Sequence, residues 1–428
     1  MSHYSLDVYS NEQQQATTQA PRIQELTAQI DEAERAVWQG DAAERAAEEE
    51  VEEVRHASRR ITERLEEIAA EQRAVAPRVI AEAQLIGATL TAITTSPYLR
   101  DRLFDAVVID EASMVSLVMM LVAVTHATRH VAIVGDPRQL APIVNVKNER
   151  EAPRAVRWLG TDLFAYLHVR LADADAGRNQ VVFLSRQSRM VPEIAAVVSR
   201  FFYDGRLQNH LDPDRVPLRL SPHPEWSLML VNTGDQDRGK GKDEDKVCRA
   251  RRPERGNTGS KFNDCHVECV VQLVQALQPQ LPQRESGEPH ICVIAPYGAQ
   301  KTRIRQALQA RHLLSGVQVG TVYSAQSVEY PCVIFDLVEG YDVRIGTFLS
   351  DYWGHKGVPT KATRLLNVGS SRASDKLIFV ANVDYIQQCD PRQRHLLTKL
   401  VTDVAAGWSI DSRELRAERS ASDDSGAL

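Results

Sequence analysis

Two stretches of this 428-residue sequence place chemically capable side chains directly after short apolar runs. Ala106-Val107-Val108-Ile109 leads into Asp110-Glu111-Ala112-Ser113, and His130 to Val134 leads into Gly135-Asp136-Pro137-Arg138-Gln139-Leu140-Ala141-Pro142. Ligands of open α/β sheets bind at the C-terminal ends of strands. A carboxylate there can hold the magnesium ion of a nucleoside triphosphate, and a second beside it can orient or deprotonate an attacking water. The same Asp-Glu pair also fits the start of a helix, whose dipole favours negative side chains. In the second stretch Gly, Asp and Pro account for a tight turn. A turn alone does not require Gln139 with a proline three residues later.

Such ends need a sheet to hold them. From Pro77 onward, Val/Ile-rich runs alternate with helical segments: Leu85 to Leu90, the two runs above, Val181 to Leu184, His290 to Ile294, Val317 to Val322, Cys332 to Leu337 and Leu377 to Val380. Continuous apolar strands of this kind belong to parallel sheets covered on both faces, so the body reads as α/β. Ahead of Pro77, Leu26, Ile30, Ala33 and Val37, then Val51, Val54, Ile61, Leu65, Ile68 and Val75, keep three- and four-residue spacing. That pattern predicts two helices, Thr17 to Trp38 and Asp41 to Ala76, joined at Gln39-Gly40-Asp41 as an antiparallel hairpin. A plain coiled-coil scaffold fits the same spacing. Residues 234–261 are charged and glycine-rich without periodicity, which predicts a surface loop, and the stretch after Ser409 reads the same way.

Composition bounds the class. A hydrophobic content of 43% in 428 residues is enough for cores in two or three domains. No run of about 18 apolar residues occurs and the first 30 residues are polar, so the sequence predicts neither a membrane span nor a secretory signal and points to the cytoplasm. Six cysteines in a chain this long make no disulfide framework. Cys265, His266 and Cys269 with Cys248 can be weighed as a zinc set, but their spacing fits no common zinc pattern. The simpler reading is a helix carrying small apolar thiols. The net charge is −6, and it is uneven. Residues 1–76 carry 8 Arg and 17 acids, a net of −9, which leaves +3 on the rest. A mildly basic body is compatible with a phosphate backbone without requiring one.

Further strings follow in order: Gln187-Ser188-Arg189-Met190, Ala295-Pro296-Tyr297-Gly298-Ala299-Gln300, Gly320-Thr321-Val322-Tyr323-Ser324-Ala325-Gln326-Ser327-Val328-Glu329, and Arg364-Leu365-Leu366-Asn367-Val368-Gly369-Ser370-Ser371-Arg372-Ala373. With the two strand-end strings, the set resembles the ordered motifs of superfamily 1 helicases, in the group of the nonsense-mediated-decay RNA helicase and senataxin. The resemblance covers roughly residues 20 to 400. It implies two RecA-like parallel-sheet domains, the first incomplete and carrying the hairpin as a stalk-like insertion. The boundaries it implies are 1–76 for the hairpin, 77–180 for the remainder of the first motor domain, 181–408 for the second, and 409–428 for a disordered tail.

Carried over residue by residue, the resemblance assigns Asp110 to Mg2+, Glu111 to the attacking water and Gln139 to the γ-phosphate of ATP. It makes Arg189 and Arg372 arginine fingers, which stabilise phosphoryl charge only when the cleft is closed. Gln187, Gln326 and Glu329 fall at nucleotide-binding positions. Thr89, Pro296 and Thr321 fall at positions contacting single-stranded DNA or RNA. For each of these small residues a turn or capping role is the competing reading. Three departures stand out. Ser188 replaces a tyrosine that stacks on adenine, Ser327 replaces a glycine, and Gly369-Ser370-Ser371 replaces Ala, an aliphatic residue and Thr.

The largest departure is the phosphate-binding loop GxxxxGK[ST], which the family places before the Asp-Glu box. The first lysine of this sequence is Lys147. Gly234 to Lys240 spells GxxxxGK, but Gly241 takes the Ser/Thr position and the segment lacks a strand-to-helix context. The expected function is therefore an ATP-dependent helicase or translocase core that needs a phosphate-binding segment from elsewhere, such as an upstream polypeptide. The alternative is a non-hydrolysing nucleic-acid-binding or regulatory remnant.

Overall fold

A computed structural model of the chain describes residues 21–22, 24–33, 41–144, 152–170, 173–174, 180–212, 214–234, 248–253, 260–281, 288–346, 348–350 and 359–415. It divides into two compact units, Met1–Leu103 and Phe104–Leu428.

In the first unit, residues 24–33 are helical and a long helix spans Asp41–Glu82. Leu26 and Val51 are the buried apolar side chains described on these two helices, in line with a narrow seam between charged faces. Residues 39 and 40 of the expected turn lie outside the described residues. The long helix runs six residues past its expected end at Ala76, straight through Pro77. A proline inside a helix removes one N–H donor; on an exposed rod, water can take the carbonyl left over. The end comes instead where Arg102 Nη2 donates to the carbonyl of Ala83 at 3.1 Å. Leu85 to Leu90 form no strand. Leu85 is 91% exposed, and Thr89 caps a short helix, Leu90–Thr95, its hydroxyl accepting from Ala92 N at 3.1 Å.

Among the described residues the second unit holds three parallel sheets, one of them a pair of two-residue strands. Strands β1 (Phe104–Ile109) and β2 (Ala127–Ile133) pair in parallel, with Ile109 opposite Ile133. After the two-residue strands β3 (Arg186–Gln187) and β4 (Gln208–Asn209) come β5 (Leu228–Asn232), β6 (Ile291–Ile294), β7 (Val317–Gly320), β8 (Tyr330–Asp336), β9 (Ala373–Ala381) and β10 (Ser409–Asp411). These last six form one sheet in the order β10-β5-β9-β8-β6-β7, parallel at every pairing.

The continuous apolar runs have the expected cause. Leu228, Leu230, Cys292, Ile294, Val333, Phe335, Leu377 and Phe379 join one hydrophobic cluster. Their alternates Met229, Val231, Ile291, Val293, Cys332, Ile334, Ile378 and Val380 join another. Side chains of a strand alternate between faces, so each strand feeds both clusters. The first cluster packs on the helices Pro192–Phe202, Lys361–Ser371 and Leu396–Trp408, and the second on Asp264–Leu277 and Gly298–Ala310.

Three expectations change. Val181 to Leu184 form no strand, and Val182 and Leu184 are exposed. Ser409–Asp411, expected to begin a tail, is the edge strand β10 paired to β5. Within the expected loop 234–261, residues 248–253 are anchored by bridges from Arg249 to Tyr341 and from Arg251 to Phe262. The helix Asp264–Leu277 carries Cys265 and Cys269, and both ring nitrogens of His266 are engaged, Nδ1 with Asp336 at 2.7 Å and Nε2 with Thr233 at 2.9 Å. A histidine committed in this way is a buried structural group. The zinc reading falls, since among the described residues no three such side chains are grouped to hold a metal.

Candidate nucleotide cleft

Asp110 and Glu111 leave the end of β1 on a sharp turn. The Asp110 carboxylate accepts the Glu111 amide at 2.8 Å, and Glu111 has φ +50°. The β2 end is welded beside it: Val134 N donates to Ile109 O at 2.8 Å, and Ala112 N donates to Val134 O at 2.9 Å. This close approach explains Gly135. A Cβ there would lie 2.8 Å from Ala112 N and 3.0 Å from Ser113 N, so a side chain would pry the two turns apart.

The turn that carries Gln139 is locked from behind. Asp136 accepts a hydrogen bond from Tyr203 at the end of the helix Pro192–Phe202. Asn367 Nδ2 donates to both Tyr203 Oη and Arg138 O at 2.9 Å. Burial raises the Asp136 carboxyl above the usual carboxylate range, and it raises the Tyr203 phenol, helped by the adjacent Asp136 charge.

Against these two strand ends stands the N-terminal edge of the six-stranded sheet. Gln326 Nε2 donates to Glu111 Oε2 at 3.2 Å, and the Ser327 hydroxyl donates to Glu111 Oε1 at 2.9 Å. Arg372, 1% exposed, donates through Nη2 to Gln139 Oε1 at 3.2 Å. Burial, with Arg189 nearby, pushes its guanidinium down to about 10, still cationic at neutral pH. Arg189 Nη1 donates to Ser371 O at 3.2 Å, while its Nε stands 2.6 Å from Glu329 Oε1 in an ion pair without hydrogen-bond alignment. Asp110, Glu111, Gln139, Arg189, Arg372, Gln326 and Glu329 thus gather around one cleft.

The remaining expected positions lie elsewhere. Gln187 spends its amide locally, Oε1 accepting from Met190 N at 2.8 Å and Nε2 donating to Met190 O at 2.9 Å, so it shapes the loop that presents Arg189. Pro296 and Thr321 follow the ends of β6 and β7, where Ala295 N donates to Gly320 O at 3.0 Å. They sit at the C-terminal edge of that sheet, opposite the cleft. Thr89 shows its capping role within the first unit.

Sequence reasoning passed over four residues. Tyr203 and Arg215 carry no motif signal, Asn367 lay unassigned in a quoted string, and Ser327 was noted only as a departure. Arg215 donates to Arg189 O and, at 2.9 Å, to Asp375, tying together the segments that carry both arginines. The Gly369 departure has a packing cause: a Cβ there would lie 2.2 Å from the Phe335 ring.

A family model described as an AAA domain (AAA_12) matches residues 162–384, more than half of the chain. The chain belongs to this AAA-domain family of senataxin-like superfamily 1 helicases. A second AAA-domain model (AAA_11) matches residues 2–147. The helicase core is 26% identical over 322 residues to "Helicase sen1" of Schizosaccharomyces pombe, which covers 74% of this chain and 16% of the relative. It is 25% identical over 303 residues to "DNA polymerase alpha-associated DNA helicase A" of Saccharomyces cerevisiae, covering 67% and 40%. The chain thus spans less than half the length of these relatives. Among solved structures, "Complex structure of Arterivirus nonstructural protein 10 (helicase) with DNA" aligns with a TM-score of 0.29 and 13% identity over 66% of this chain and 41% of that one.

Proposed function

We propose that this helicase core couples ATP hydrolysis to movement along single-stranded DNA or RNA, with five-prime to three-prime polarity as the family resemblance implies. The observation that carries the reading is the meeting of Arg372 with Gln139 and of Gln326 with Glu111 across the cleft. Guanidinium groups placed opposite an acid pair can stabilise charge that grows on a transferring phosphoryl group. The residues fit a triphosphate and its Mg2+: Arg372 Nε and Ser113 Oγ are buried without a hydrogen-bond partner among the described residues, and Asp110 is exposed at the strand end. Asp110 would hold the metal, which supplies charge neutralisation between phosphates. Glu111 would orient the attacking water, and Arg189 would reach a phosphate by releasing Glu329. Pro296 and Thr321 would face the strand's backbone.

Because these 428 residues hold no phosphate-loop lysine ahead of Asp110, the reading draws that loop from a segment outside them, on the same or a separate polypeptide. The same observation favours the second reading, a non-hydrolysing nucleic-acid-binding remnant. The boundaries 1–76, 77–180 and 181–408 stay in the proposal with two shifts, the first moved to Glu82 by the continuous helix and the last to Asp411 by β10; a cytoplasmic location belongs to it as well, and the six unbridged cysteines support that. Among the described residues no helix is long and apolar enough to cross a membrane.

The test is ATP hydrolysis with a single-stranded oligonucleotide, with and without an added phosphate-loop segment, using Glu111→Gln to expose contaminants. Turnover that requires the segment and disappears in the variant supports the split arrangement. Robust turnover by the unaided chain means the phosphates are held some other way, and none under any condition leaves the non-hydrolysing reading.

A further inference from the structure

Ser327 occupies a backbone conformation that suits glycine. Its φ is +63°, in the left-handed region where a Cβ is disfavoured. The resembled family places glycine here, so serine carries a conformational cost that glycine avoids. Its side chain shows what offsets that cost. The hydroxyl donates to Glu111 Oε1 at 2.9 Å, and the preceding Gln326 donates to Oε2 at 3.2 Å. Glu111 is itself at φ +50°, on the turn that follows β1, and its side chain makes no capping hydrogen bond to that turn. Two consecutive residues from the other side of the cleft therefore fix the plane of the carboxylate.

We propose that Ser327 is a positioning residue for Glu111, holding its carboxylate so that the unused lone pairs face the attacking water. A carboxylate has about four lone-pair sites, so two donors leave acceptor capacity for a proton from water. Glycine at this position supplies no donor. In this chain the hydroxyl makes the aim of the acid depend on closure, because Ser327 reaches Glu111 only when the two sides of the cleft are together. The proposal rests on the reading of Glu111 as the residue that orients water.

Three variants of the full chain separate the hydroxyl from the backbone: Ser327→Gly removes the donor and relaxes φ, Ser327→Ala removes the donor and keeps the strain, and Ser327→Asn keeps a donor on a residue that tolerates positive φ. In single-strand-stimulated hydrolysis, with the phosphate-loop segment added if the chain needs it, Gly and Ala are each expected to lower kcat about tenfold, with KM for ATP within about twofold. Asn should restore most of the loss. Ser327→Gly at or above the wild-type kcat overturns the proposal. A second arm needs no turnover: thermal melts of Ser327→Ala, Glu111→Ala and the double variant should be non-additive, because the contact is shared. Strictly additive shifts remove it. A wild type without hydrolysis under any condition sinks the hydrolysis reading alone, and the melts still decide the Ser327 contact.

Discussion

Arg372, immediately before β9, and Gln139, beyond the end of β2, meet through a 3.2 Å hydrogen bond although 233 positions separate them. The arginine is buried, so its fork is fixed before any ligand arrives. Preorganised charge is worth most where water is excluded. Arg372→Ala should lower strand-stimulated hydrolysis at least about a hundredfold, and Arg372→Lys about tenfold or more, since an ammonium cannot reproduce the planar fork. A steady-state assay checks this. Wild-type turnover in Arg372→Ala would remove the finger assignment.

Tyr203→Phe takes a donor from half-buried Asp136. The Asp136 pKa is raised in the folded state, so its proton linkage stabilises the fold below the unfolded value and that stabilisation fades as pH rises through the folded value. Tyr203 opposes this by favouring the ionised form. Its loss should cost about 1–3 kcal/mol near pH 7.5 and less at pH 4.5, where Asp136 holds its proton longer. Urea denaturation at the two pH values measures the difference, and equal costs would contradict it.

Gly369→Ala pushes a methyl group into the Phe335 ring. Overpacking of this kind should cost about 1–3 kcal/mol. Phe335→Leu introduced with it should recover part of the loss in a thermal melt, because the clash is with that one ring.

How much of this was legible beforehand depended on distance along the chain. β6, β8 and β9 announced themselves as unbroken apolar runs, and Asp110-Glu111 as two acids after one. Leu228–Asn232 escaped because its four apolar residues fit a buried helix as well as a strand. Leu85 to Leu90 and Val181 to Leu184 misled for the opposite reason: apolar composition without a partner strand. At the site, Ser327 and Tyr203 act on residues 216 and 67 positions away, and no local pattern encodes such a pairing.

The thiols should sort by burial. Cys292 and Cys332 lie in β6 and β8, and burial pushes each thiol up to about 12. At pH 8 they should resist iodoacetamide while exposed Cys389 is alkylated, as mass spectrometry would read. Rapid labelling of all three would mean that the sheet opens readily.

Binding to a single-stranded oligonucleotide should weaken steeply with salt and change little with base sequence, as backbone recognition requires. Titrations over a range of salt concentrations give the slope. A flat dependence would argue against phosphate contacts by any part of the chain.

Between Thr321 and Ser327 the chain returns from the C-terminal edge of β7 toward the N-terminal edge of β8, with Val322 and Ala325 pressed on the sheet in the turn Val322–Ala325. Ser324 braces that turn by donating to Thr321 O from both its amide and its hydroxyl, at 3.0 and 2.8 Å. Thr321 and Ser327 therefore stand at the two ends of one short braced connection, which gives the C-terminal edge of β7 a covalent route of six residues to the hydroxyl that holds Glu111.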